Sequence, residues 1–294
     1  KALDHFLPNI RGKGLKGAVG TAASYQRLLK GTGVSVEELE AWVLEELDLE
    51  AFPVSTQTYP RKQDLATINL LAGIAASAHK FAFDRRLLQS PALGEWSEPF
   101  GKHQVGSSAM PFKRNPVNSE TVCSLARYVS ALPPIMWHDA ANSLLERTLD
   151  DSANRRAAIP DAFLAVDEIL TRLHRLITGL NVEVAAVQRN MEAYGPFAAM
   201  EAVMMEAVRG GADRQAVHEI LREHAMTAWA ALQRGEPNPL AQQLVSDRRL
   251  TAFLEPARVE ALMDATAHLG IAHQRALEFS ASLTRYLEQT GDAR

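Results

Sequence analysis

Apolar side chains recur three or four positions apart through most of this chain, and few segments alternate apolar and polar residues as strands do. The longest such segment runs from about Arg61 to Gln89 and carries no charge between Asp64 and Lys80. Its apolar positions include Leu65, Ile68, Leu71, Ala75 and Ala78. A helix that is apolar all round is surrounded by other helices. The pattern predicts an all-α fold around a long central helix, the longest in the chain.

Shorter helices are predicted on either side of this one. Before it, the pattern predicts the end of a helix over 1–8, helices at about 21–30 and 35–47, and extended chain over 51–60. Ser35 and Glu38 form a predicted capping box at the start of the second helix. After it, helices are predicted over 117–132, from about 140 or 142 to 156, and on to about 178, with a stop at Pro133-Pro134 and an irregularity at Pro160.

The pattern changes near Gly179-Leu180-Asn181. Beyond it, shorter amphipathic helices separated by glycine and proline are predicted at about 182–193, 196–209, 213–234, 238–246, 256–268 and 270–289. We therefore expect a central helical-bundle domain over 1–180 and a smaller all-helical C-terminal domain over 181–294.

Composition excludes several classes of protein. A net charge of −4 over 294 residues provides no basic field for nucleic acid. The single cysteine, Cys123, excludes an internal disulfide and a cysteine-rich metal site, so cytoplasmic surroundings are expected. The longest uncharged run, 65–79, is shorter than the about 20 residues that span a membrane. Because Lys1 falls within a predicted helix, we interpret the chain as part of a longer protein.

One stretch has little helical character and several polar side chains. It reads Gly106-Ser107-Ser108-Ala109-Met110-Pro111-Phe112-Lys113-Arg114-Asn115-Pro116. Its glycine frees the backbone and its prolines disfavour a continuous helix, so a loop is predicted. Loops held by a rigid scaffold often carry function, although a solvated connector is the alternative interpretation.

This stretch resembles the signature GSSxMPxKxNP of the fumarase/aspartase superfamily, and its Lys-Arg-Asn-Pro ending is most similar to adenylosuccinate lyases. The resemblance implies that Ser107 is the general base, with Ser108 as the neighbour to test beside it. It also implies that Lys113 stabilises a dianionic intermediate and that Asn115 binds a substrate carboxylate. Glu120 would orient a catalytic histidine. From the residues alone, it is also a carboxylate in the first turn of a helix, where the helix dipole stabilises negative charge.

A second polar cluster spans Glu146 to Arg156. Arg147 and Arg156 are predicted to lie on one side of a helix with Ser152 between them, and guanidinium groups suit phosphate. Salt bridges to the acidic residues of the same segment are the alternative. The sequence ERTLDDSANRR is similar to a block of adenylosuccinate lyases, which implies that Arg147, Ser152 and Arg156 hold the nucleotide.

Two further segments carry a weaker resemblance. Residues 55–62 resemble the block TGQTYxRK, which implies that Gln57 contacts substrate; a polar residue at a helix entry is the alternative. Residues 11–21 are rich in glycine and basic side chains, so their backbone amides could face an anion, or the segment could be a turn that leads into a helix. A similar KGxxGT segment occurs in adenylosuccinate lyases.

The resemblance leaves the general acid without a residue. In the family it is a histidine in a Thr-His segment, and none of the nine histidines lies in that context. His103, close to the signature, is the alternative acid, but its Lys-His-Gln context does not match the family's, and we interpret it as structural or loop-supporting. We expect the acid to lie upstream of this chain.

Taken together, the resemblance implies a C–N lyase acting on a small-molecule nucleotide, without metal or organic cofactor and without nucleic-acid or membrane partners. It also implies a homotetramer whose subunits share active sites. Another lyase of the superfamily, of the carboxy-muconate type, and a non-catalytic helical scaffold are the alternatives.

Overall fold

The computed structural model describes residues 1–99, 110 and 113–291. Nearly all of their regular structure is helical, which confirms the predicted all-α class. The chain divides into two compact units, one of Lys1–Ala92 with Trp96–Val182 and one of Leu93–Glu95 with the residues from Glu183 onward. The expected domain limits, 1–180 and 181–294, remain a prediction.

The first unit contains seven helices among its described residues, with two minimal strand pairs. The helices are α1 Ala2–Phe6, α2 Ala23–Leu28, α3 Val36–Glu45, α4 Lys62–Leu88, α5 Val117–Ser130, α6 Pro133–Ala141 and α7 Asp150–Thr178. A 3-10 turn covers Leu7–Asn9. Strands β1 Arg11–Gly12 and β2 Glu50–Ala51 pair in parallel, and β3 Trp96–Ser97 and β4 Asn181–Val182 pair antiparallel. The capping box on α3 is confirmed, because Ser35 and Glu38 bond each other's backbone N–H.

The core of this unit lies where α4 packs against α5, α6 and α7. Ile68, Ala75 and Ala82 of α4 are 0% exposed there. The opposite side of α4 is not covered by the described part of the chain, since Phe83 and Leu87 are 54% and 61% exposed. The prediction of a helix surrounded on all sides is therefore not met within one chain.

Prolines of this unit were interpreted only in part. α5 ends at Ser130, in agreement with the predicted stop at Pro133-Pro134, but the two prolines also begin a helix that was not predicted, α6, because the first helical turn needs no N–H bond from proline. α7 continues through Pro160 and has 29 residues, against 27 for α4, so α4 is not the longest helix. Ala158 and Ala162 on either side of Pro160 are buried, and this packing offsets a cost of about 3 kcal/mol.

The segment before α7 also differs from the prediction. α6 ends at Ala141 and α7 begins at Asp150, with irregular chain between them. Arg147 therefore lies in a connection, and the prediction that Arg147 and Arg156 share one side of a helix is wrong.

The second unit is all-helical among its described residues. Its helices are α8 Val184–Arg209, α9 Arg214–Gln233, α10 Leu240–Ser246, α11 Arg248–Thr251, α12 Pro256–Leu262 and α13 Ala272–Gly291, with a 3-10 turn over Ala265–His268. Its core includes Val203, Leu240 and Leu250, each 0% exposed. α8 runs through Pro196, so the two helices predicted over 182–193 and 196–209 are one.

Candidate active site

Two crossed ion pairs join the start of α4 to the start of α7. The Nε of Arg61, just before α4, lies 2.5 Å from Oδ2 of Asp151 in the first turn of α7. In return, the Nε of Arg155 in α7 lies 2.5 Å from Oδ2 of Asp64 in the first turn of α4. Both carboxylates are buried and lie at helix N-termini, where the helix dipole favours negative charge. The two helix starts are therefore held at a fixed spacing.

Tyr59 contacts residues of both ion pairs. Its hydroxyl donates to Oδ1 of Asp64 at 2.8 Å and accepts a hydrogen bond from Arg155. The guanidinium carbon atoms of Arg61 and Arg155 lie 4.8 Å and 5.5 Å from the ring centroid. Burial raises the pKa of the Tyr59 hydroxyl, and the bond to Asp64 acts in the same direction. Tyr59 is therefore a neutral, fixed side chain at physiological pH.

This network brings three of the predicted substrate-binding residues to one end of the first unit. Gln57 lies two positions before Tyr59, and Ser152 and Arg156 directly follow Asp151 and Arg155. Gln57 and Ser152 are half-buried, and Arg156 is exposed. Sequence reasoning missed the pairing of Arg61 with Asp151 and of Arg155 with Asp64. Asp64, in the first turn of the predicted long helix, was a visible signal, whereas Asp151 was placed near the end of a predicted helix and lies in the first turn of α7.

The alternative interpretation of the arginines as salt-bridge partners does not fit Arg147 and Arg156. Asp151 forms its ion pair with Arg61, and Asp150 accepts a hydrogen bond from Thr148. Within the described chain, neither Arg147 nor Arg156 has an ion pair, and both are exposed. Their guanidinium groups are available to an anionic ligand.

The glycine-rich basic segment, residues 11–21, binds a carboxylate of the same chain. The Nζ of Lys16 lies 2.6 Å from Oε1 of Glu40, and the N–H of Leu15 donates to Oε2 of Glu40 at 2.6 Å. Gly14 has a φ of +81°, and a Cβ at this position would strike the Glu40 carboxylate. The anion that this turn holds in the described chain is thus the buried Glu40.

The signature stretch is described only in part. Ser107 and Ser108, the proposed base and its neighbour, and His103 lie outside the described residues. Lys113, Asn115 and Glu120 are exposed at the start of α5. The N–H of Glu120 donates to the Pro116 carbonyl at 2.8 Å, which fixes the first turn of that helix.

The start of α5 and the start of α7 lie at opposite ends of the first unit. Nη1 of Arg172, late in α7, donates to Oδ1 of Asn118 at 2.9 Å. Tyr128, near the end of α5, donates to Oδ2 of Asp161 at 2.6 Å, so the two helices run antiparallel. At about 1.5 Å of rise per residue, Arg156 and Arg172 are about 24 Å apart. We call Arg147, Ser152 and Arg156, at and just before the start of α7, the α7 cluster. Within one chain, Lys113, Asn115 and Glu120 do not meet this cluster.

Two further buried carboxylates, Glu98 near the start of α5 and Asp139 near the start of α7, were not predicted. Both oxygens of Glu98, just before the signature stretch, accept hydrogen bonds from Asn118 and Ser119 in α5. Oδ1 of Asp139 in α6 accepts from the side chain of Asn154 at 2.8 Å, and burial raises the pKa of Asp139. Neither position stands out by spacing, because the contacts join separate elements, 15 to 21 residues apart, and not neighbouring turns of one helix.

The described residues contain no group of three or more His, Cys, Asp or Glu side chains suited to hold a metal ion. Likewise, no helix among residues 1–99 and 113–291 is long and apolar enough to cross a membrane.

Two family models match the chain. One, described as "Lyase", matches residues 7–130, and the other, "Adenylosuccinate lyase C-terminus", matches residues 196–278. Among solved structures, 3-carboxy-cis,cis-muconate lactonizing enzyme from Pseudomonas putida superimposes with a TM-score of 0.78, at 22% identity, over 97% of this chain and 59% of that one. A fumarate lyase from Mesorhizobium sp. BNC1 superimposes with a TM-score of 0.75, at 23% identity, over 92% and 57%. These likenesses show the fold.

Curated relatives are more similar in sequence. Adenylosuccinate lyase of Schistosoma mansoni is 42% identical over 241 residues, which are 81% of this chain and 50% of the relative. Adenylosuccinate lyase of Saccharomyces cerevisiae is 39% identical over 269 residues, 91% of this chain and 55% of the relative. The chain spans about half the length of the curated relatives it matches. The matched family models and these relatives together show that the chain belongs to the adenylosuccinate lyase family of the fumarase/aspartase superfamily.

Proposed function

We propose that the protein containing this chain cleaves a C–N bond without water, releasing fumarate from adenylosuccinate to leave AMP. The same reaction on the succinocarboxamide aminoimidazole ribotide of purine biosynthesis belongs to this proposal. The observation that carries it is the pair of exposed guanidinium groups of Arg147 and Arg156, which no carboxylate of the described chain neutralises. A phosphate group matches their charge and their fork geometry.

The nucleotide end of the substrate belongs to the α7 cluster in this proposal. Arg147 and Arg156 bind the phosphate, Ser152 donates a hydrogen bond, and Gln57 contacts the substrate from the facing segment. The crossed ion pairs support this assignment, because they hold Gln57 and Ser152 at a set spacing before substrate arrives. A pre-organised site loses less entropy on binding.

The succinyl end belongs to the signature stretch. Ser107 removes a proton from the carbon next to a carboxylate, the electron pair forms the C–C double bond of fumarate, and the C–N bond breaks. Ser108 is the alternative base. Lys113 stabilises the negative charge that builds on the carboxylate, which is the largest requirement of such an elimination. Asn115 binds that carboxylate, and Glu120 orients the histidine that protonates the leaving nitrogen.

Completion of the site requires more than one copy of the chain. Within one copy, Arg172, which contacts the start of α5, lies about 24 Å along α7 from Arg156. The exposed apolar side chains Phe163, Leu164 and Ile177 of α7, between 51% and 70% exposed, offer a surface for association. We therefore include a homotetramer with shared active sites in the proposal, in the cytoplasm, where purine nucleotides are made.

The test is an assay of fumarate release from adenylosuccinate, followed as an absorbance change. The chain is assayed alone and after refolding together with the N-terminal half of the Saccharomyces cerevisiae relative. Activity that appears in the combined sample supports the proposal, as does activity of the chain alone. Release of product from a carboxy-muconate substrate instead, or no turnover of any substrate by a properly assembled complex, would overturn it.

Replacing the proposed base gives a second test of the same mechanism. Ser107→Ala should lower kcat by about 10²–10⁴-fold, with little change in KM, because general-base catalysis contributes about that much. Ser108→Ala is the matched control and should lower kcat less. If Ser107→Ala turns over near the wild-type rate, Ser107 is not the base.

A further inference from the structure

Glu98 caps α5 from a position 20 residues before Asn118. Its Oε1 accepts hydrogen bonds from the N–H and the Oγ of Ser119, both at 2.8 Å. Its Oε2 accepts from the N–H and the Nδ2 of Asn118 at 3.2 Å and 3.0 Å. The first-turn N–H groups of a helix have no partner within it, and the dipole there favours a negative charge. Glu98 therefore supplies α5 with a cap that its own sequence lacks.

Arg85 lies behind this cap. It is 0% exposed, and its Nη1 lies 3.1 Å from Oε1 of Glu98 and 3.2 Å from Oγ of Ser119. Its Nε and Nη2 have no partner in the described part of the chain. Burial lowers the pKa of Arg85, and the adjacent Glu98 carboxylate opposes that shift. A buried pair of this kind is weak evidence for stability, because packed apolar side chains often serve as well.

Gln89 and Arg172 hold the same region from the neighbouring helices. Oε1 of Gln89 accepts from the N–H of Glu98 at 2.9 Å, and its Nε2 donates to the Arg114 carbonyl at 3.1 Å. Arg172 of α7 donates to Oδ1 of Asn118 at 2.9 Å. The chain segments before and after the signature stretch are thus tied to each other and to the ends of α4 and α7.

We propose that Glu98, braced by Arg85, is a positioning residue for the elimination. It fixes the first turn of α5, and through it the backbone that carries Lys113, Asn115 and Glu120. This inference rests on the proposed function of those three residues. A shift of about 1 Å in a charge-stabilising group is enough to cost about 100-fold in rate.

The test compares three variants for kcat, KM and Tm. Glu98→Gln keeps the shape of the side chain but removes the charge and one acceptor, and Arg85→Met with Glu98→Gln also removes the buried cation. Val129→Ala, in the buried middle of α5, is the control that lowers Tm without touching the cap. Glu98→Gln should lose about 100-fold in kcat at a temperature where every variant is folded. Val129→Ala should keep the wild-type kcat.

The double variant separates positioning from stability. We expect it to recover most of the Tm lost by Glu98→Gln, because the unpaired buried cation is gone, while its kcat stays low. Recovery of kcat together with Tm would overturn the proposal, and so would an unchanged kcat in Glu98→Gln. KM should change less than kcat in each variant, since the α7 cluster is untouched.

Amide hydrogen exchange tests the cap independently of activity. In Glu98→Gln the Asn118 and Ser119 amides should exchange about tenfold faster or more than in the wild type. In Val129→Ala, measured at a temperature equally far below its Tm, these amides should exchange at the wild-type rate. If the wild-type protein fails to release fumarate but these amides respond as expected, the proposed function fails and the cap stands. If the amides do not respond, the positioning role is rejected whatever the assay shows.

Discussion

At the scale of single residues, the buried carboxylates differ in how many hydrogen bonds they accept. Asp139 is 6% exposed and accepts one hydrogen bond, from Asn154. Its Oδ2 and the Oδ1 of Asn154 have no partner among the described residues. Burial raises the pKa of Asp139. The folded state therefore binds a proton at Asp139 more tightly than the unfolded chain does, and the charged form lowers stability at neutral pH.

Asp139→Asn should consequently raise the free energy of unfolding at pH 7, by about 1 kcal/mol, because the new amide N–H can donate to the Asn154 oxygen. The gain should shrink as pH falls through the raised pKa, where wild-type Asp139 takes up its own proton. Urea titrations at pH 7 and pH 5 measure both effects. Asp167→Asn, at an exposed position of α7, is the control and should change little. A loss of stability at pH 7 would contradict the account.

The pKa of Asp247 is shifted in the opposite direction, downwards. It lies at the start of α11, accepts hydrogen bonds from Arg249 and bonds Nε2 of His224 at 2.8 Å. The bonds from Arg249, followed by that from His224, hold the pKa of Asp247 below its usual range. A depressed pKa contributes stability above the unfolded-state pKa, and this contribution is lost as pH falls through the folded-state value.

Asp247→Asn should therefore lower the free energy of unfolding by about 2 kcal/mol at pH 7, since hydrogen bonds to a charged group are lost. The difference from wild type should decline in acid. Denaturation curves followed at the second unit's Trp229 measure it. Equal loss at neutral and acid pH would mean that the shape of the side chain matters and its charge does not.

At the scale of elements, the starts of α4 and α7 illustrate why burial decides the value of an ion pair. The side chains of Arg61 and Asp151 are 9% and 4% exposed, whereas Lys80 and Asp84, one turn apart on α4, are 75% and 47% exposed. Removing one partner of a buried pair leaves an unpaired charge, which costs about 3–5 kcal/mol. Exposed pairs on a helix contribute about 0.3–0.5 kcal/mol.

A double-mutant cycle on Arg61→Met and Asp151→Asn should give a coupling free energy of about 2 kcal/mol or more. The same cycle on Lys80→Met and Asp84→Asn is the matched control and should give about 0.5 kcal/mol or less. Chemical denaturation of each variant provides the values. Coupling that is equal in the two cycles would show that the crossed pairs do not brace the helix starts.

At the scale of the whole molecule, the two proposed halves of the site lie at opposite ends of one chain's helical unit. Lys113 lies just before α5, whose first turn contacts Arg172, and Arg156 lies about 24 Å from Arg172 along α7. A shared active site would combine Lys113 of one copy with Arg156 of another. This arrangement predicts that two inactive variants restore each other.

Lys113→Ala and Arg156→Ala should each abolish most of the fumarate release, and their mixture after reassociation should regain a measurable part of it. Hybrid oligomers contain some sites in which both side chains are wild type. Mixing Ser152→Ala with Arg156→Ala is the control and should regain nothing, because both changes fall in the same half. Hybrids detected by mass without regained activity would rule out sharing between these clusters.

Helix content was predictable because apolar spacing is a local property. α4 and α9 lie within a few residues of their expected limits, and the Ser35–Glu38 capping box is present. Prolines misled the prediction, since Pro160 and Pro196 lie inside continuous helices. Local propensity disfavours them there, and burial of the flanking turns outweighs that preference.

The sequence by itself determined the all-α class, the family resemblance and most residues proposed for chemistry, because each depends on side chains close together along the chain. The tertiary structure decided that Arg61 and Arg155 neutralise the buried carboxylates, that Arg147 and Arg156 remain unpaired within the described chain, and that Glu98 caps α5. The ion pairs and the cap join separate segments of the chain that lie 20 to 91 residues apart. Their partners are chosen by packing and by the cost of burying an unpaired charge, which no local pattern contains.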